Sequence, residues 1–77
     1  MVFATRYLRL MDPPMTGPDV SLVQGRLKAL GIYAEEISGV FDDATAQAVR
    51  QFQQRNGLRV DGIVGPDTYQ ALQLTEA

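Results

Sequence analysis

The 77-residue sequence has no cysteine, no histidine and no tryptophan. Without cysteine there is no disulfide, and without histidine as well the usual zinc ligand sets are absent, so no metal and no cofactor is expected. Nucleophilic catalysis lacks its customary base, and the only serines are Ser21 and Ser38, with Lys28 the one lysine. No apolar run approaches the ~18 residues of a membrane span. The seven Lys and Arg residues are outnumbered by nine Asp and Glu, giving a net charge of -2. They are scattered, where nucleic-acid binding needs a basic stripe that displaces counterions. Nucleic acid and membrane are therefore not expected partners.

What remains is one small domain, 45% hydrophobic and 21% charged, of a size that buries only about 60% of its unfolded surface and must be held by packing. Met1 to Leu10 carries Arg6 and Arg9 among apolar residues and lacks the continuous apolar stretch and small-residue cleavage site of a secretion leader. That fits a cytoplasmic chain or a piece of a longer exported one.

Residues 1–16 end in the breaker Asp12-Pro13-Pro14 and predict a short extended arm whose apolar side chains lie on the helices. Gly17-Pro18 then opens a first helix, since proline suits the first helical position. Val20, Val23, Leu27 and Leu30 follow at helical spacing and Gly31 stops it, which places the helix at about Pro18 to Leu30. A second helix is expected from the cap Asp42 to Asn56, stopped by Gly57, and a third, shorter one behind Gly65-Pro66. The loops between them are expected to hold at most two-residue strands around Val60. The fold class is all-α: a compact three-helix domain over residues 17–74 with the extended arm at 1–16.

The chain also repeats itself. Ser38-Gly39-Val40-Phe41-Asp42-Asp43-Ala44-Thr45-Ala46-Gln47-Ala48-Val49 matches Asp61-Gly62-Ile63-Val64-Gly65-Pro66-Asp67-Thr68-Tyr69-Gln70-Ala71-Leu72. Each copy is a loop-to-helix corner. Glycine takes a backbone angle that a β-carbon resists, the apolar pair after it plugs the core, and a cap opens the helix. Threonine in the first turn is expected to return its hydroxyl to a free backbone group. Most residues of such a repeat serve the fold.

This pattern resembles the peptidoglycan-binding-like domain family, found beside catalytic domains in bacterial cell-wall hydrolases. The resemblance is carried by Gly17-Pro18-Asp19-Val20, Val23-Gln24, Leu27, Gly31, Gly39-Val40-Phe41, Thr45, Ala48-Val49, Phe52-Gln53, Gly57-Leu58, Asp61-Gly62-Ile63-Val64-Gly65, Thr68, Ala71 and Leu72. It implies a three-helix module that binds peptidoglycan, as glycan strand or stem peptide, without cleaving it. It also implies a covalently attached catalytic domain in the full-length protein, and an extracellular, wall or periplasmic location. Family members often have Asp-Gly at the first corner and glycine before the second helix, where this chain has Ser38 and Asp42. The same fold occurs in matrix metalloproteinase propeptides, whose cysteine blocks a zinc; with no cysteine, that role is excluded.

No catalytic residue is assigned. Glu35, Glu36, Asp42, Asp43 and Asp61 offer carboxylates, but adjacent surface acids solvate loops and so small a domain has little room for a sugar cleft. The candidate ligand-binding residues are Asp61, Gly62 and Ile63 at the second corner, with Tyr69, Arg50 and Gln53. The helix starts offer backbone N–H groups to a carboxylate. Tyr69 either stacks on a sugar face or packs under the arm. Tyr33 either completes the cap of the first helix or walls a groove. Asp61 either closes an Asx turn at Ile63 or bonds a peptide amide. Arg50 shares a face with Gln53 and either meets a carboxylate or is simply solvated. Gln24 and Gln53 are placed to bond neighbouring loops and fix the corners. The module is expected to be monomeric. The alternative is a protein-interaction or propeptide-like domain that packs on and regulates its own catalytic partner.

Overall fold

The computed structural model describes residues 6–74. Three helices follow in order: α1 (Pro18–Ala29), α2 (Asp43–Arg55) and α3 (Pro66–Ala71). Pro18 and Pro66 stand in the first turns of α1 and α3, where no N–H partner is lost, and Asp42 caps α2 by accepting from Thr45 N–H at 3.0 Å.

All three helices end in the same way. The residue after the cap adopts a left-handed conformation, and its own N–H and the next one fold back onto the last turn. In α1 these bonds are Gly31 N to Lys28 O and Ile32 N to Leu27 O. In α2 they are Gly57 N to Gln54 O and Leu58 N to Gln53 O, and in α3 Gln73 N to Gln70 O and Leu74 N to Tyr69 O. The left-handed residue is Gly31, Gly57 and, against the rule, Gln73 at φ 62°. Gln73 is held there by Arg26, which donates to Leu72 O at 2.9 Å and to Gln73 Oε1 at 3.1 Å. The apolar residues that follow, Ile32, Leu58 and Leu74, fold onto the core. Tyr33 joins Ile32 at the α1 end, its N–H also reaching Leu27 O at 3.2 Å and its side chain buried in the core.

No strand is formed among the described residues. Extended contacts are limited to isolated antiparallel bridges, Leu8 with Val64 and Thr16 with Val40. The pairing falls at Val64 and not around Val60, whose side chain is exposed. Through these bridges the arm crosses both corners in turn: Leu8 exchanges both backbone bonds with Val64, while Gly17 N reaches Gly39 O and Phe41 N reaches Met15 O. Leu8 is fully buried, whereas Tyr7, Leu10 and Met11 face outward, so the expectation that the arm's apolar residues all lie on the helices is corrected.

The core is shared by all segments. Val20, Val23 and Leu27 of α1, Val49 and Phe52 of α2, the corner plugs Phe41 and Val64, Tyr69 and Leu72 pack with Leu8. Tyr33 belongs to this core, and its hydroxyl donates to Glu36 O at 3.1 Å, so it walls no groove.

Candidate functional site

Each corner is organised by one fully buried glutamine from the preceding helix. Gln24 of α1 accepts from Gly39 N at 2.9 Å and donates to Val40 O at 3.0 Å and Thr45 Oγ1 at 2.9 Å. Gln53 of α2 accepts from Asp61 N at 3.1 Å and Gly62 N at 3.0 Å. It donates to Asp61 Oδ1 and Ile63 O, both at 2.9 Å, and to Thr68 Oγ1 at 3.2 Å. A side-chain amide is the one neutral group that offers an acceptor and two donors together, which is what a loop with an inward N–H and an inward C=O requires.

The threonines therefore do not return to the backbone as expected. Thr45 and Thr68 each accept from a glutamine, and Thr45 passes its own proton to Asp42 Oδ1 at 2.8 Å. Among the described residues no buried side-chain polar atom is left without a partner. Such closed networks make the corners rigid.

At each helix start one N–H is already taken by an aspartate. Asp19, Asp42 and Asp67 accept from Val20 N, Thr45 N and Thr68 N respectively. The chain thus sets an anion of its own at each helix start, and a ligand carboxylate there would meet a like charge.

The candidate residues separate by exposure. Gln53 is buried and every polar atom of its side chain is engaged inside the chain, so it positions the corner and has no face for a ligand. Tyr69 is 1% exposed and its hydroxyl donates to Arg6 O at 2.6 Å, so the ring lies under the arm and has no face open to a sugar. Burial pushes its phenol up to about 12. Gly62 is buried at φ 73°, and a β-carbon there would meet Arg50 Nη1 at 3.0 Å, so the exposed Arg50 side chain lies across the glycine. Asp61 is exposed, and its Oδ1 accepts from Ile63 N at 2.9 Å in the expected Asx turn. That bond holds its carboxyl below the ordinary range. Ile63 is half-buried.

Beside this corner lies a half-open hollow of about 370 Å³. One wall is the arm, through Tyr7 and Arg9; the other is the corner, through Arg59, Asp61 and Ile63. Gly65, Pro66 and Asp67 complete it. The structure thus brings Asp61 and Ile63 together with side chains that the sequence reading did not select. The signal for Tyr7 and Arg9 was the alternation around Leu8 in an extended arm; Arg59 had none. A second hollow of about 310 Å³ lies where the helices end, between Arg26, Phe52, Arg55 and Gln73.

Among the described residues no group of three or more His, Cys, Asp or Glu side chains is placed to hold a metal ion. No helix among them is long and apolar enough to cross a membrane.

Comparison with known proteins places this geometry. Residues 16–72 match the family model described as "Putative peptidoglycan binding domain". The chain is 45% identical over 60 residues to a spore cortex-lytic enzyme of Halalkalibacterium halodurans, covering 78% of this chain and 18% of that protein. It is 41% identical over 59 residues to the N-acetylmuramoyl-L-alanine amidase CwlM of Mycobacterium tuberculosis, covering 77% of this chain and 14% of that one. The crystal structure of the SleB N-terminal domain superposes with a TM-score of 0.85 at 38% identity, covering 92% of this chain and 93% of that domain. The chain therefore spans less than a fifth of the length of these two enzymes.

Proposed function

We propose that this chain, which belongs to the peptidoglycan-binding domain family, is a noncatalytic module that holds an attached wall-modifying enzyme on peptidoglycan. The observation that carries the reading is the second corner: a backbone fixed from inside by Gln53 presents Asp61 and Ile63 to an open hollow, with Arg50 laid across Gly62. A rigid exposed corner binds with little ordering cost, which is what a small recognition surface requires.

Asp61, Ile63 and Arg50 are the ligand-facing members of this site, and Gly62, Gln53 and Tyr69 hold them in place. The net charge of -2 gives no general attraction to an anionic polymer, so affinity is local and modest. Tethering makes modest affinity sufficient, because the attached enzyme then acts at raised local substrate concentration. The coverage of only 18% and 14% of the two enzymes supports a module joined to a larger catalytic body. The module works as a monomer where its polymer lies, in the wall or periplasm.

Sedimentation of the purified 77-residue chain with insoluble peptidoglycan tests this, followed by amide NMR with soluble muropeptides. Co-sedimentation with shifts at residues 59–67 is expected. A chain that stays in the supernatant and shows no shift belongs instead to the regulatory, partner-packing class.

A further inference from the structure

The family model begins at residue 16, yet one wall of the hollow comes from residues before it, Tyr7 and Arg9. The arm is tied down on either side of this wall. Leu8 is fully buried and bonded to Val64 in both directions, Arg6 bonds Asp19 at 2.8 Å, and Arg6 O receives the Tyr69 hydroxyl. Tyr7 and Arg9, flanking Leu8, must then face outward over the corner. Tyr7 seats its ring on Gly65, where a β-carbon would come within 3.0 Å of the ring edge. Gly65 has an ordinary backbone at φ -104°, so its lack of a side chain matters here for the room it gives Tyr7.

Asp61 accepts from Ile63 N and Gln53, and Asp67 from Thr68 N, each through Oδ1, so the hollow sets two carboxylates beside two guanidiniums, and the Arg59 charge helps to lower the Asp61 carboxyl. Arg9 and Arg59 make no hydrogen bond or ion pair among the described residues. The five N–H donors of each guanidinium are thus not used in any hydrogen bond within the described residues. An acceptor-rich ligand is wanted, and a planar carboxylate meets a guanidinium fork two-to-two.

Resting on the wall-binding reading above, we propose that the hollow between the arm and the second corner is a stem-peptide site, in which Arg9 and Arg59 take a free peptide carboxylate beside the Tyr7 ring. A glycan strand whose lactyl carboxyls are all amide-linked to peptide is neutral and does not supply that group. Residues outside the family's matched span thus set which part of the polymer is recognised.

Isotope-labelled chain is titrated with a muropeptide bearing a free terminal carboxylate, with the same muropeptide amidated at that end, and with the N-acetylglucosamine disaccharide, which has no carboxyl group. Amide shifts at Tyr7, Arg9, Arg59 and Asp61 are expected with the first ligand, at least tenfold weaker binding with the second and none with the third. Arg9→Gln/Arg59→Gln is expected to weaken the first by tenfold or more. Gly65→Ala, which displaces the Tyr7 ring, is expected to weaken it at least threefold. Equal affinity for the amidated ligand, or unchanged binding by both variants while wild-type chain still sediments with peptidoglycan, overturns the peptide site and leaves the wall-binding reading standing. A wild-type chain that neither sediments nor shifts overturns both.

Discussion

Gln53 Oε1 accepts the N–H of Gly62 at 3.0 Å from within α2, nine positions earlier in the chain. Gln24 accepts the N–H of Gly39 in the same manner at 2.9 Å, fifteen positions earlier. The two corners are therefore one device used twice, and the glutamine is its fastener.

Replacing that fastener should be costly. Gln53→Leu removes the partners of Asp61 N, Gly62 N and Ile63 O together. Leaving buried groups unpaired is expected to destabilise the domain by about 2–4 kcal/mol. Urea denaturation measures this, and a loss below about 1 kcal/mol means that water or a relaxed loop replaces the amide.

Gly62 and Gly31 share a left-handed backbone, at φ 73° and 77°, but differ in surroundings. Nothing lies within 4 Å of a β-carbon at Gly31, whereas Arg50 lies 3.0 Å from one at Gly62. Gly31→Ala should cost about 1 kcal/mol in backbone strain alone and Gly62→Ala somewhat more, with Gly62→Val at about 1–3 kcal/mol. Thermal melts of the pair decide it. Equal losses would show that Arg50 swings aside freely.

Acid should weaken the tie between arm and α1. The hydrogen bond from Arg6 holds the Asp19 carboxyl below its ordinary value of 3.8. In that range the unfolded chain binds more protons than the folded one. The stabilisation is thus complete above the unfolded value and is lost as pH falls through the folded one. Asp19→Asn should flatten the acid limb of stability between about pH 4 and lower values. Asp61, held down by Ile63 N–H, contributes in the same sense.

Tyr69 acts at the opposite end of the scale. Burial raises its phenol from 10.0 to about 12, so the folded state keeps a proton that the unfolded chain releases. Its contribution is complete below the unfolded value and declines as pH rises from 10 toward 12. Tyr69→Phe should abolish this alkaline limb and cost about 1 kcal/mol at neutral pH through the lost bond to Arg6 O. Wall sedimentation by Tyr69→Phe should match wild type; a large drop with the fold intact would return the hydroxyl to the ligand.

The helices, their starts and two of their three stops were legible in the sequence because they depend on neighbours in the chain. Pro18, Asp42 and Pro66 act within one turn, and Gly31 and Gly57 satisfy carbonyls only a few residues back. The third stop was not marked, since Gln73 takes the left-handed position and Arg26, 47 residues away, holds it. The corner repeat was legible too, and with it the expectation that Gln24 and Gln53 fix loops.

What only the tertiary structure decided is which of these groups remain available to a ligand. Tyr69 as a residue type fits a sugar platform, but its place under Arg6 is set across 63 residues by how the arm lies. Tyr7, Arg9 and Arg59 become neighbours because Leu8 pairs with Val64, a contact that no periodicity in either segment announces. Local sequence fixes a backbone through bonds a few residues long, whereas exposure and cavity lining depend on which distant segments share a core.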